Sequence, residues 1–147
     1  MGERPTDPRV KAAKRLERAG VKSIGTFDVG LVGYVAPDIA IVDLGGLTDR
    51  TIGRAPGYYY NKRPPPEYLL SRAPDAYLIT SLAMPKAEGG DILVPPHYEP
   101  ESYVMGQPWF AEQYSFVGVF KVNDAYFLTW FARKGAPGSD GAEKLGR

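Results

Sequence analysis

Two aspartates, Asp28 and Asp43, stand at the ends of short apolar runs, and each is followed two residues later by glycine. The runs, residues 24–27 and 39–42, have the composition of buried strands, so each delivers a carboxylate to a loop at a sheet edge. If the two strands are parallel neighbours, both carboxylates share the edge at which open α/β sheets bind ligands. A carboxylate there can accept hydrogen bonds from sugar hydroxyls. The competing reading is structural: an aspartate where a strand turns commonly caps the next turn, its oxygens then holding backbone N–H groups.

A second group follows within one glycine- and proline-containing loop, residues 45–66. Arg50, Arg54, Lys62 and Arg63 are interleaved there with Tyr58, Tyr59 and Tyr60. Arginine forks match phosphate oxygens, and tyrosine rings stack on sugars or sit at a membrane interface. The loop can therefore grip an anionic ligand such as a lipid phosphate. It can equally be a solvated loop whose tyrosines cover one end of the sheet. Two strand ends, the Gly45-Gly46 pair and this basic aromatic loop converge within a short stretch of chain. They outline a shallow ligand pocket with Asp28, Asp43, Thr48, Arg50, Arg54 and Lys62 as polar groups, and Tyr58, Tyr59 and Tyr60 as cover.

Other reactive residues converge less. His97 is the sole histidine and lies in a proline-rich loop. A metal or nucleophile site would need partners that the sequence does not bring to it, so no metal is expected. Asp75, Asp91, Glu99 and Glu101 can pair as acid and base in principle, but their spacing gives no reason for it, and solvated loop positions are the expectation. The Gly-x-x-Gly pieces lack the full dinucleotide fingerprint, and no cofactor is expected. Trp109 and Phe110, beside Pro108, either join the core or form an exposed lip for stacking; burial is the expectation for rings of this size.

The elements that position these residues alternate along the chain. Asp7, Pro8 and Gly20 frame a helix over residues 8–19, with Val10, Ala13 and Leu16 as a thin apolar stripe that should lie on a sheet. Strands are predicted over 21–27, 39–44 and 76–81, with a short helical turn over 29–34 and a helix over 66–72. Residues 82–100 read as irregular, and 101–114 as helical with a break at Pro108. Residues 115–122 and 125–133 read as a hairpin around Asn123-Asp124. This is a single α/β domain over residues 1–134, with a mixed sheet of about five strands, the first three mainly parallel and the last two antiparallel, flanked by helices. Residues 135–147 read as a disordered polar tail.

The 147 residues suit one domain, and 44% hydrophobic content supplies an ordinary core. A net charge of +1 creates no field that would favour nucleic acid. With no cysteine, disulfides and thiol catalysis are excluded. No apolar run is long enough to span a bilayer, and the N-terminal residues lack the apolar core of a signal peptide. As written, the chain is expected to stay in the cytoplasm.

The ordered set Phe27-Asp28-Val29-Gly30, Val42-Asp43-Leu44-Gly45-Gly46-Leu47-Thr48-Asp49, Glu67-Tyr68-Leu69-Leu70 and Pro74-Asp75-Ala76-Tyr77 resembles a known family. It is similar to the C-terminal soluble extracytoplasmic domain of polytopic membrane glycosyltransferases of the GT-C type. These enzymes use lipid-linked sugar donors, and arabinofuranosyl- and mannosyltransferases are among them. The resemblance covers most of the chain, from the first helix to the final hairpin. It implies a non-catalytic domain of, or separate partner to, such a transferase, on the extracytoplasmic face. It also implies help in binding an acceptor glycan or a polyprenyl-phosphate sugar. Two departures stand out. The transmembrane part that carries catalysis in such enzymes is absent, and the loop where relatives often carry a His-Lys pair reads Tyr60-Asn61-Lys62. No catalytic residue transfers to this chain. The rival readings are a small soluble hydrolase and a pure protein-interaction module that packs on a membrane partner.

Overall fold

In the computed structural model, which describes residues 7–28 and 36–141, the chain enters its first helix through the expected cap. Asp7 accepts the Arg9 N–H at 2.9 Å and Pro8 takes the first helical position of α1 (Pro8–Arg18). The stripe Val10, Ala12, Ala13 and Leu16 is buried, and the helix lies along one face of a sheet.

That sheet has five strands in the order β2-β1-β3-β7-β6. β1 (Ser23–Thr26) runs parallel to β2 (Ala40–Asp43) on one side and to β3 (Ala76–Ser81) on the other. β6 (Tyr114–Asn123) and β7 (Tyr126–Arg133) form the C-terminal antiparallel pair, and β7 docks antiparallel on β3. The fold is the predicted α/β domain with a mixed sheet. β3 is buried along its whole length, as a central strand covered on both faces must be. Its side chains alternate between two cores. Leu78 faces α1 with Ile24, Leu128 and Trp130, while Tyr77 and Ile79 join Val42, Ile52, Leu69 and Phe110 on the other face.

The second face is covered by short helices: α2 (Arg50–Gly53), α3 (Pro66–Arg72), α4 (Glu99–Met105) and α5 (Pro108–Gln113), with a single 3₁₀ turn at Tyr59–Asn61. Pro108 starts α5, so the break expected there is a restart, and Trp109 and Phe110 are core residues. Gly25 on β1 faces Tyr77 on β3, whose ring lies where a Cβ would be, 2.3 Å from the nearest ring carbon.

Three details differ from the sequence reading. The β6–β7 turn sits one residue later, because Asn123 pairs with Tyr126 and its Oδ1 accepts the Ala125 N–H at 2.8 Å. Within the stretch expected to be irregular, Gly89 and Gly90 (φ 58° and 88°) close a small hairpin, β4 (Lys86–Glu88) with β5 (Asp91–Leu93). The expected disordered tail begins too early at residue 135. Ala136 is buried, and Gly138 lies against the Trp130 ring, where a Cβ would come within 2.6 Å. The helical turn predicted over 29–34 lies outside the described residues. Among the described residues no helix is long and apolar enough to cross a membrane.

Candidate functional site

The order β2-β1-β3 has a topological consequence. The chain leaves β1 to form β2 on one side, then returns to form β3 on the other. Connections diverge at the carboxyl ends of β1 and β3, the place where open α/β sheets form a ligand crevice. β7 is antiparallel and pairs Phe127 with Ser81, so its first residue, Tyr126, arrives at this same edge.

Asp28 stands two residues beyond β1. Its Oδ2 accepts from Arg9 Nε at 3.1 Å and from the Tyr126 hydroxyl at 2.9 Å. The Arg9 guanidinium also lies over the Tyr126 ring, 4.9 Å from its centre. Helix, strand edge and hairpin are thus tied together at one carboxylate whose side chain remains 20% exposed. Burial, then the neighbouring Asp28 charge, pushes the Tyr126 hydroxyl up to about 12.

Beside it, β3 outruns β1. The last β1 partner on β3 is Leu78, so Thr80 has no strand neighbour on that side. The segment before α4 replaces the missing strand. Glu101 Oε2 accepts the Thr80 N–H at 2.6 Å, and the His97 N–H donates to the Thr80 carbonyl at 2.8 Å. Glu101 Oε1 accepts the Tyr98 N–H at 3.0 Å, reaching back from the third helical position to the N-cap backbone of α4. Glu101 is fully buried, and burial pushes its carboxyl up to about 7 against the pull of these two N–H donors, with the Asp28 charge adding to the rise. The Thr80 hydroxyl is buried at this edge, beside the Glu101 carboxyl and the Tyr126 hydroxyl.

A run of aromatic rings borders this edge. Phe27 is stacked between Tyr98 (centroids 3.9 Å apart) and Tyr59 (5.4 Å). Tyr60 meets Tyr59 edge-on at 5.8 Å and stacks on Tyr58 at 5.9 Å. The outer three rings are open to solvent, Tyr58 at 71%, Tyr59 at 47% and Tyr60 at 53%. Burial and the nearby Glu101 and Asp28 charges raise the Tyr98 hydroxyl above its ordinary range.

The other predicted residues have different surroundings. The register opposes Thr26 and Asp43, so Asp28 and Asp43 do share one edge. Asp43, however, is buried, and its oxygens accept the Gly45 N–H at 2.9 Å, the Thr48 N–H at 2.9 Å and the Thr48 hydroxyl at 3.2 Å. Asp43 and Thr48 therefore hold their own turn. Gly46 (φ 79°) meets the Gly53 backbone, where a Cβ would come within 2.6 Å, so the close approach it permits is to α2. Lys62 is buried, its ammonium donating to the carbonyls of Gly53 and Ala55 at the end of α2. Arg50 and Arg54 are exposed. His97 is exposed and stacks edge-on against Tyr98 at 4.5 Å.

The structure thus brings Asp28, Tyr58, Tyr59 and Tyr60 to one edge and assigns Asp43, Thr48 and Lys62 to internal hydrogen bonds. Sequence reasoning did not assemble Arg9, Phe27, Thr80, Tyr98, Glu101 and Tyr126 with them. One local signal was available: Glu101 follows Pro100 at the third helical position, from which a glutamate can reach back to the N-cap backbone. The remaining contacts join residues as far apart as Asp28 and Tyr126, and only the sheet order makes them neighbours.

Among the described residues, no group of three or more His, Asp or Glu side chains is arranged to hold a metal ion. No curated protein and no solved structure matches the chain. Residues 8–137 match one family, and the chain belongs to it: Domain of unknown function (DUF8728).

Proposed function

We propose that this domain is a saccharide-binding module serving a membrane glycosyltransferase. In this reading it holds an acceptor glycan, or the sugar of a polyprenyl-phosphate donor, at the carboxyl edge of β1 and β3. The observation that carries the reading is the aromatic run Tyr98–Phe27–Tyr59–Tyr60–Tyr58 beside the anchored carboxylate of Asp28. Sugars present apolar C–H faces and a rim of hydroxyls, so a ring shelf beside a fixed acceptor suits both. Arg9 and Tyr126 hold the carboxylate, which reduces the ordering cost of binding. The exposed Arg50, which opens α2, and Arg54, which follows it, supply charge for a donor phosphate. Glu101 favours binding over chemistry as the role of this edge, because both of its oxygens hold backbone N–H groups.

Isothermal calorimetry with mannose- and arabinofuranose-containing oligosaccharides tests this. Tyr59→Ala, at an exposed ring, should weaken binding by about fivefold, as expected for about 1 kcal/mol of stacking. Asp28→Asn should weaken it by roughly tenfold, since a hydrogen bond to a charged group contributes about 1.5 kcal/mol or more. Binding that is unchanged in both variants, or absent for every glycan in the wild type, would contradict the proposal.

A further inference from the structure

We propose that the groove beneath the β4–β5 hairpin binds a single-chain anionic amphiphile, its hydrocarbon tail in the groove and its acidic head on Lys86. Two cavities of about 470 and about 460 Å³ share Ile92, Leu93 and Met105, so they lie side by side at β5. Each alone falls within the range of about 300–1,000 Å³ usual for small-molecule sites. Met84 and Val94 wall the first; Phe116 and Phe131 wall the second, whose lining also includes Asp91, Tyr114 and Ser115, so the first is the more apolar of the two. Two of the lining residues are exposed apolar side chains: Met84 and Leu93 are 46% and 48% exposed. Unbranched, polarizable methionine adapts to chains of irregular shape.

Charge is distributed to one end. The hairpin register pairs Lys86 with Leu93 and Glu88 with Asp91, which leaves the cation at the open end of the ribbon and two carboxylates at the turn. An anionic head is drawn to Lys86 and repelled from the turn. A hydrocarbon tail needs no partners along the apolar stretch between them. A peptide entering the first cavity would bring an N–H and a C=O for every residue, and apart from Lys86 the side chains lining that cavity are apolar. The flap above the groove is lightly held. β4 and β5 pair with each other and not with the main sheet. Gly89 and Gly90 at the tip have open space where side chains would be.

This site stands on residues separate from the proposed saccharide edge, so either proposal can fail alone. The test is a fluorescence titration of the full chain with cis-parinaric acid, below its micelle concentration, followed by displacement with oleate and with farnesyl phosphate. One saturable site per chain is expected, and the stronger competitor identifies the tail as acyl or isoprenyl. Leu93→Asp, at an exposed rim position, should weaken binding by about tenfold or more, because the tail must then lie against a charge. Lys86→Glu should weaken the fatty acid by more than the two- to fivefold or so expected for losing one exposed ion pair, while sparing the matching fatty alcohol. Asp28→Asn should leave the titration unchanged. The proposal is overturned if no saturable uptake occurs or if Leu93→Asp binds as the wild type does. It is also overturned if the protein adsorbs only to intact phosphatidylglycerol vesicles without taking up monomeric fatty acid.

Discussion

Glu101 shows how a residue's environment can reverse its ordinary contribution to stability. Its carboxyl is pushed from 4.5 up to about 7, chiefly by burial. Between those values the folded chain binds more protons than the unfolded chain. The Glu101 contribution is therefore fully present below about pH 4.5 and is lost as the pH rises through about 7. One pKa unit corresponds to about 1.4 kcal/mol, so the loss is on the order of 3 kcal/mol. Glu101→Gln does not titrate, and it turns an amide donor toward one of the two backbone N–H groups, a constant cost of about 1–3 kcal/mol. Urea unfolding should then show the wild-type advantage over Glu101→Gln shrinking from about pH 5 to about pH 8. An advantage that grows with pH would mean that the site favours the carboxylate. At this scale the sequence was partly legible. Asp43 can be read as a turn-holding aspartate because its partners, Gly45 and Thr48, lie within five residues. The environment of Glu101 depends on Thr80, which sequence distance hides.

Elements were more legible than the contacts between them. Pro8, Pro66 and Pro108 each mark a helix start, and β3 reads from its run Ala76-Tyr77-Leu78-Ile79 between Pro74 and the polar pair Thr80-Ser81. The β4–β5 ribbon escaped because three-residue strands carry too little alternation to distinguish from loop. Gly25 illustrates a constraint that lies between elements. A glycine within a strand weakens it by itself, yet here the absent side chain admits the Tyr77 ring. Gly25→Ala must displace that ring from the core and should destabilise the protein by about 1–3 kcal/mol, the usual range for overpacking. Thermal unfolding measures this, and Tyr77→Leu in the same background should recover part of the loss. No change on Gly25→Ala would show that Tyr77 can rotate away freely.

For the whole molecule, the sheet order decides both rigidity and which residues meet at the β1–β3 edge. β3 and β7 lie in the interior of the sheet with neighbours on both sides, whereas β4 and β5 have only each other. Hydrogen exchange should therefore show residues 76–81 and 127–132 opening only with global unfolding. Residues 86–93 should exchange through local opening, at a free energy at least about 2 kcal/mol lower. Equal protection would argue against a movable flap over the apolar groove. The same sheet order makes Asp28, Thr80 and Tyr126 neighbours, and it was only half legible in sequence. Alternating elements predicted the mixed sheet, but which strand flanks β1 opposite β2 followed from packing rather than from any local pattern. The central claim is that this edge holds a saccharide. Amide chemical-shift mapping during titration with a mannose- or arabinofuranose-containing oligosaccharide tests it most directly. Saturating shifts should centre on Phe27, Asp28, Tyr59 and Tyr98, with Tyr126 following through its bond to Asp28. Shifts confined to residues 86–93 or 114–123, with the β1–β3 edge unmoved, would contradict it.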